Sequence, residues 1–159
     1  MGYALFPLVV VLIGFALTQG ALQQVGVTAG AAAAEFQDAL IDQDAERVQL
    51  FAGACLSSAR AAPGAVSSNL PITSASPVSL PARATCTTTP DGAAGRYVYA
   101  AIPVGAGVAG AVLAAQDSSA LWYRAGGNGI AVRALDGSSM QVPVGIPSGA
   151  LVYVAHVAR

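Results

Sequence analysis

The sequence predicts an α+β protein: an N-terminal transmembrane helix and a long amphipathic helix, followed by a small antiparallel-sheet domain. Three observations predict it. The stretch from Gly2 to Leu17 carries no charge and, apart from one tyrosine hydroxyl, no polar side chain. Between residues 31 and 60, Phe36, Leu40, Val48, Phe51 and Cys55 recur at helical spacing. Beyond residue 95 the pattern changes to short β-rich runs cut by glycine and proline. The division expected is an anchor over 1–22 and a single extracytoplasmic α+β domain over 23–159. Within the domain, the helix covers about 31–60, a Ser/Thr/Pro-rich segment 65–95 and a strand-rich part 96–159.

The first apolar run rises only about 24 Å as a helix, short of the about 30 Å hydrocarbon core. The first charge is Glu35, so the helix can extend through Thr18 to Leu22 and reach a spanning length, near Leu5 to Leu22. A helix suits lipid because it satisfies its own backbone hydrogen bonds. Pro7 falls in the first turns, where a missing N–H costs least. Two other readings stay open. A cleaved signal peptide is marked by small residues at Gly14 and Ala16, or Thr18 and Gly20, although no Lys or Arg precedes a run that is long for such a peptide. A buried core helix is the third. The positive-inside rule is silent, because no Lys or Arg lies within about 15–20 residues of the span.

Residues 21–30 are small and apolar around Gln23 and Gln24, and Gly26 and Gly30 weaken a helix there. In the helix that follows, Asp44 interrupts the apolar stripe, and Glu35, Asp38, Asp42, Asp44 and Glu46 crowd the first half. Carboxylates there favour the positive end of the helix dipole. Such a run has the ligands for a divalent cation, but a solvated face is the ordinary meaning of it. Pro63-Gly64 ends the helix. Pro71, Pro77, Pro81 and Pro90 then forbid continuous helix or central strand, while Leu70, Ile72, Val78 and Leu80 tie the segment to the domain.

Thr85–Thr89 reads as a short edge strand, and Pro90-Asp91-Gly92 as a turn. Arg96–Val104 reads as a strand and Gly105–Gln116 as a short helix. Ala120–Ala125 is a strand stopped by Gly126-Gly127-Asn128-Gly129. Ile130–Leu135 meets Asp136-Gly137, a hairpin signal, and returns over Ser139–Val144. Leu151–Ala155 closes the domain as a final strand.

Composition excludes one function class. Net charge is −1, and all seven basic residues are arginines scattered from Arg47 to Arg159, so there is no basic stripe to neutralise nucleic-acid phosphates. Charged residues make up 9% of the chain against about 25% in ordinary domains. The 55% of hydrophobic residues is largely alanine, so the core is thin. Cys55 and Cys86 fit a disulfide worth about 3 kcal/mol or more in an oxidising compartment. They fit equally two small buried apolar residues. The compartment a disulfide needs leans toward the periplasm or exterior.

Gly105-Ala106-Gly107-Val108-Ala109-Gly110 matches the dinucleotide fingerprint G-x-G-x-x-G between a strand and a helix. The required context is missing: Asp136 lies in a hairpin turn, and no further parallel unit follows. His156 is the single histidine, read as a surface residue. No serine lies in a Gly-x-Ser-x-Gly elbow, and Asp91, Asp117 and Asp136 look like turn residues. The expectation is therefore no enzyme, no cofactor and no metal.

Gly2-Tyr3 passes for a prepilin cleavage point, but Pro7 stands where type IV pilins carry glutamate and no basic leader precedes it. The chain more nearly resembles the PilM family of conjugative and type IVb thin-pilus systems. It does so in length, in the Gly-aromatic start, in the helix Phe36–Arg60 and in the run Val142–Val154. That run is similar to the family's terminal "LP..IP.G..V" signature, with Val142 in place of the leucine. The resemblance implies an accessory protein of the bacterial inner membrane, with its domain in the periplasm. Its partners would be other pilus-assembly proteins or pilins, and the lipid bilayer through the N-terminal helix. Tyr97, Tyr99, Trp122 and Tyr123 supply the aromatic stock of a contact surface, although strand alternation sends about half of them to the core. The alternative is an exported small binding protein or a nucleotide-binding module using Gly105–Gly110.

Overall fold

In the computed structural model, residues 5–72, 81–92, 95–117 and 119–158 are described, with side chains from residue 30 onward. The chain forms two compact units, residues 1–40 and 41–159. Helix α1, Leu5–Ala61, supplies the described part of the first and the opening of the second. It continues through Gly26 and Gly30 without a break.

In the first unit, the side chains of the span expected over 5–22 lie outside the described residues. Among the described residues, no helix is long and apolar enough to cross a membrane. Phe36 and Leu40 are exposed. That corrects the stripe expected from sequence, whose buried part lies wholly in the second unit.

There the stripe is Ala45, Val48, Ala52, Cys55 and Ala59, with Phe51 beside it. The spacing of three and four residues keeps these side chains on one helix face. They pack against a six-stranded sheet. Its strands are β1 (Thr85–Asp91), β2 (Gly95–Ile102), β3 (Trp122–Ala125), β4 (Ile130–Arg133), β5 (Ser139–Gln141) and β6 (Leu151–Ala158). They lie in the order β1-β2-β6-β3-β4-β5, and every neighbouring pair is antiparallel. The α+β class and the antiparallel pairing thus follow the sequence pattern.

Because β2 and β3 are each antiparallel to β6, they run parallel to one another with β6 between them. Helix α2 (Val108–Ala115) connects them and buries Val108 and Val112. Alternation along the strands serves two cores. Val98, Ala100, Ile102, Trp122 and Leu151 join the helices on one face. Tyr99, Ala101, Tyr123, Ala125, Ala131, Val152 and Val154 form a second cluster, together with Val142 and Ala150 from the loop before β6.

After α1 the chain turns at Gly64, with φ +76°, and lies along the outer edge of β1. The Leu70 N–H donates to the Cys86 carbonyl at 2.7 Å. The Thr88 hydroxyl donates to the Ala65 carbonyl and accepts the Ser67 N–H, both at 2.9 Å. Covering an edge in this way protects it from unwanted strand pairing.

Two devices brace the end of α1. Cys55 and Cys86 are bonded, with Cα atoms 5.6 Å apart, and both are buried. Arg96, also buried, donates from its guanidinium to the carbonyls of Ala59, Ala62 and Ala65. The last carbonyls of a helix lack intrahelical partners, and a cation is favoured at that end of the dipole. Replacing Arg96→Ala leaves these carbonyls short of donors and is expected to lower stability by about 2–4 kcal/mol in urea melts. A loss under about 0.5 kcal/mol, the ordinary surface range, would refute the brace. Closing a loop of 31 residues makes the disulfide worth about 3–4 kcal/mol. Protein isolated without reductant and treated with an alkylating agent should show no alkylated thiol by mass spectrometry.

Candidate functional site

The four aromatic residues expected to form a contact surface do not share one. Trp122 and Tyr123 are consecutive in β3 and so point to opposite faces. Trp122 is 0% exposed among the residues under the helices, and this corrects its expected place at a surface. Its indole N–H donates to Gln116 Oε1 at 2.6 Å, and its ring meets Tyr153 edge-on at 5.2 Å. Tyr99 and Tyr123 are buried in the second cluster. Tyr97 alone of the four is half-buried. It stands 6.3 Å from Tyr99, ring centre to ring centre. The reason is coverage: helices close one face of the middle strands, and the 142–150 loop closes part of the other.

Burial pushes the Tyr99 phenol above its ordinary value, against a hydrogen bond with Thr89 that lowers it. The Tyr123 hydroxyl accepts from Arg133 Nη2 at 2.7 Å and Nε at 3.0 Å. Arg133 continues to Asp136 at 3.0 Å, and Asp136 accepts the Ser138 N–H and hydroxyl at 3.0 and 2.7 Å. Those two Ser138 bonds, and then Arg133, hold the Asp136 carboxyl below its ordinary 3.8. This chain of bonds secures the β4–β5 hairpin, whose Gly137 has φ +74°.

Register also builds a cluster that sequence spacing does not reveal. Tyr97 lies opposite both Thr89 and His156 in the ladders. His156 Nε2 stands 2.9 Å from Asp91 Oδ2, and its ring meets Tyr97 at 5.1 Å. Gly95 makes room for it: a Cβ there would stand 2.5 Å from His156 Nε2. Asp91 and His156 are 65 residues apart, so no local motif signals the pair.

The Gly105–Gly110 loop follows β2, but both neighbours of β2 are antiparallel to it. A dinucleotide fingerprint also requires an acidic residue about 20 residues on, and residues 119–135 hold no Asp or Glu. Gly107 has φ +84° at the start of α2, and a Cβ there would meet Ile41 Cδ1 at 2.9 Å. That glycine serves the close approach of α2 to α1. A cleft of about 360 Å³ lies beside it, bounded by Asp44, Arg47 and Val48 of α1, Pro81, and Pro103 to Gly105. Among the described residues, no three His, Cys, Asp or Glu side chains converge as metal ligands. Asp44 of the acidic run pairs with Arg47 at 3.1 Å.

No protein-family model matches the chain, and no curated protein matches it by sequence. Among solved structures, the chain is similar to a protein designated PilM from Escherichia coli B7A. The identity is 21% and the TM-score 0.46, over 75% of this chain and 94% of that one. At that distance the likeness assigns neither family nor activity.

Trp122→Ala is expected to cost about 3–5 kcal/mol in urea melts, as for a fully buried aromatic. Tyr97→Ala is expected to cost under about 1.5 kcal/mol, and equal losses would refute the division between core and face. The sign of the Asp136 shift sets a pH dependence. Its contribution is present above pH 3.8 and is lost as pH falls through the lowered folded value. Asp136→Asn should therefore flatten the acid limb of stability below pH 4, measured by urea midpoints at successive pH values.

Proposed function

We propose that the chain is a membrane-anchored accessory component of type IV pilus assembly, of the type IVb and conjugative kind, acting by protein–protein contact. The observation that carries the reading is the run Val142–Val154. Its Pro143, Ile146, Pro147, Gly149 and Val152 are similar to the terminal signature of that pilus-assembly family. The run has a definite physical task. Gly149, with φ +83°, donates its N–H to the Ala125 carbonyl at 2.8 Å, and the Ala150 carbonyl accepts the Ala125 N–H at 2.8 Å. The loop thereby grips β3 and delivers Leu151 and Val152 into β6, the strand on which both halves of the sheet pair.

Two further features support this reading. The uncharged stretch Gly2–Leu17 suits an anchor in the inner membrane. The buried Cys55–Cys86 bond suits an oxidising compartment such as the periplasm. The domain would bind pilins or other assembly proteins there.

Deleting the gene should abolish pili counted by electron microscopy, and the full chain should restore them. Normal piliation of the deletion strain overturns the reading. Alkaline phosphatase fused after Arg159 should be active, and the protein should resist carbonate extraction. An inactive fusion reverses the orientation, and a shortened soluble product replaces the anchor by a cleaved signal.

A further inference from the structure

Within the first unit, residues 30–40 of α1 are helical and every one of their side chains is exposed. Two of them are large and apolar: Phe36 is 65% exposed and Leu40 46%. They stand four apart, one turn above the other on the same face. Ala32 and Ala33 continue that face toward the N-terminus and leave room for a close approach. Helices in proteins draw most of their stability from packing an apolar face, and short ones are marginal in water alone. Among the described side chains of its unit, none is buried, and both large apolar ones face solvent.

Charge selects the occupant. Glu35 and Asp38, three apart, form the row beside Phe36, and both are exposed. From residue 1 to residue 46 the sequence holds five carboxylates and no Lys or Arg, so neither carboxylate has a basic side chain nearby along the helix. A second copy laid in register would bring like charges together, and an anionic lipid surface would be repelled. Opposite charge is attracted.

We infer that the Phe36–Leu40 face of α1 docks an amphipathic helix of a partner protein whose apolar stripe is bordered by Lys or Arg. Helix-in-groove recognition uses anchors at this spacing, and small residues beside the anchors admit the ridge of a second helix. The inference deepens the pilus-assembly reading and rests on it for the existence of a partner.

The test uses the full chain in phosphatidylcholine nanodiscs and two synthetic helical peptides with the same leucine stripe, one flanked by lysine and one by glutamate. Fluorescence anisotropy should show the lysine peptide binding about tenfold more tightly, with the difference shrinking in high salt. Phe36→Ala and Leu40→Ala should each weaken it about tenfold without shifting the melting temperature of the domain. Ile130→Ala, exposed elsewhere, should change nothing. Glu35→Gln with Asp38→Asn should erase the preference between peptides. Equal binding of the two peptides by the unaltered chain, or indifference to Phe36→Ala, overturns the inference. So does self-association that Phe36→Ala abolishes, which makes a second copy the occupant. A Phe36→Trp emission that moves to the blue in anionic nanodiscs without peptide gives the face to lipid and likewise overturns it. Pili fully restored to the deletion strain by the Phe36→Ala, Leu40→Ala chain refute the docking and leave the proposed function standing. Peptide docking in a protein whose deletion leaves pili intact refutes the function and leaves the docking standing.

Discussion

The second unit depends on how the end of α1 is held to the sheet. The helix meets the strands largely through alanines, with Ala45, Ala52 and Ala59 alternating with Val48 and Cys55. Small residues allow a close approach but remove little apolar surface from water, at about 25 cal/mol per Å². Attachment therefore falls to a few strong contacts. Phe51 and Val48 fill the interface, the Cys55–Cys86 bond ties the helix to β1, and Arg96 reaches from β2 to the carbonyls of the last turn and beyond. An arginine buried without a carboxylate is costly unless its donors are used. Here three carbonyls take them, and the helix end is itself the negative pole that a cation prefers.

That attachment sets the rest of the sheet. Arg96 lies in β2, next to β6, and β6 is the strand on which the two halves of the sheet meet. The long β2–β6 ladder pairs Gly95–Ile102 with Leu151–Ala158 residue for residue, so one register governs both faces. On one face it places Ile102 and Leu151 together beneath the helices; on the other it brings Tyr97 against His156. The α2 connection then carries the chain from β2 over β6 to β3. The approach of Gly107 to Ile41 brings this short helix against the face that α1 already covers.

The class and most strands were legible because their signals are local. Alternation in Arg96–Ile102, the Asp136-Gly137 turn and the proline-glycine stop at residues 63–64 each act within a few residues. Coverage was not legible. Phe36 and Leu40 continue the helical period of Val48 and Cys55, yet they belong to a different unit and stay exposed. Period alone says which residues share a face, and it does not say whether anything lies against that face. The aromatics erred in the opposite direction. Tyrosine and tryptophan suit both interfaces and cores, and Gln116, Arg133 and the 142–150 loop supply the partners that let Trp122 and Tyr123 be buried. His156 with Asp91 was out of reach for a third reason, since strand register and not sequence distance makes them neighbours.

The same coverage decides which surface is free for a partner. A sheet with one open face invites contacts there, but here Tyr99, Tyr123, Val152 and Val154 of the second face are buried, and its Tyr97–His156 end is partly open. The sheet edges are poor sites too. The 65–70 segment lies along β1, and β5 has three residues, followed within two positions by Pro143, which has no N–H to donate. Ile130 and Val132 are exposed on β4, but they alternate with buried Ala131 and stand opposite Gln141 and Ser139. Isolated apolar side chains among polar ones are ordinary surface. The Phe36 turn of α1 differs in kind. There, apolar exposure and one sign of charge coincide on a stretch of helix whose described side chains, residues 30–40, are all exposed, and each feature limits what can bind. In the proposed docking, apolar area suits a partner that brings its own, and the exposed carboxylates of Glu35 and Asp38 favour a basic one over an acidic one.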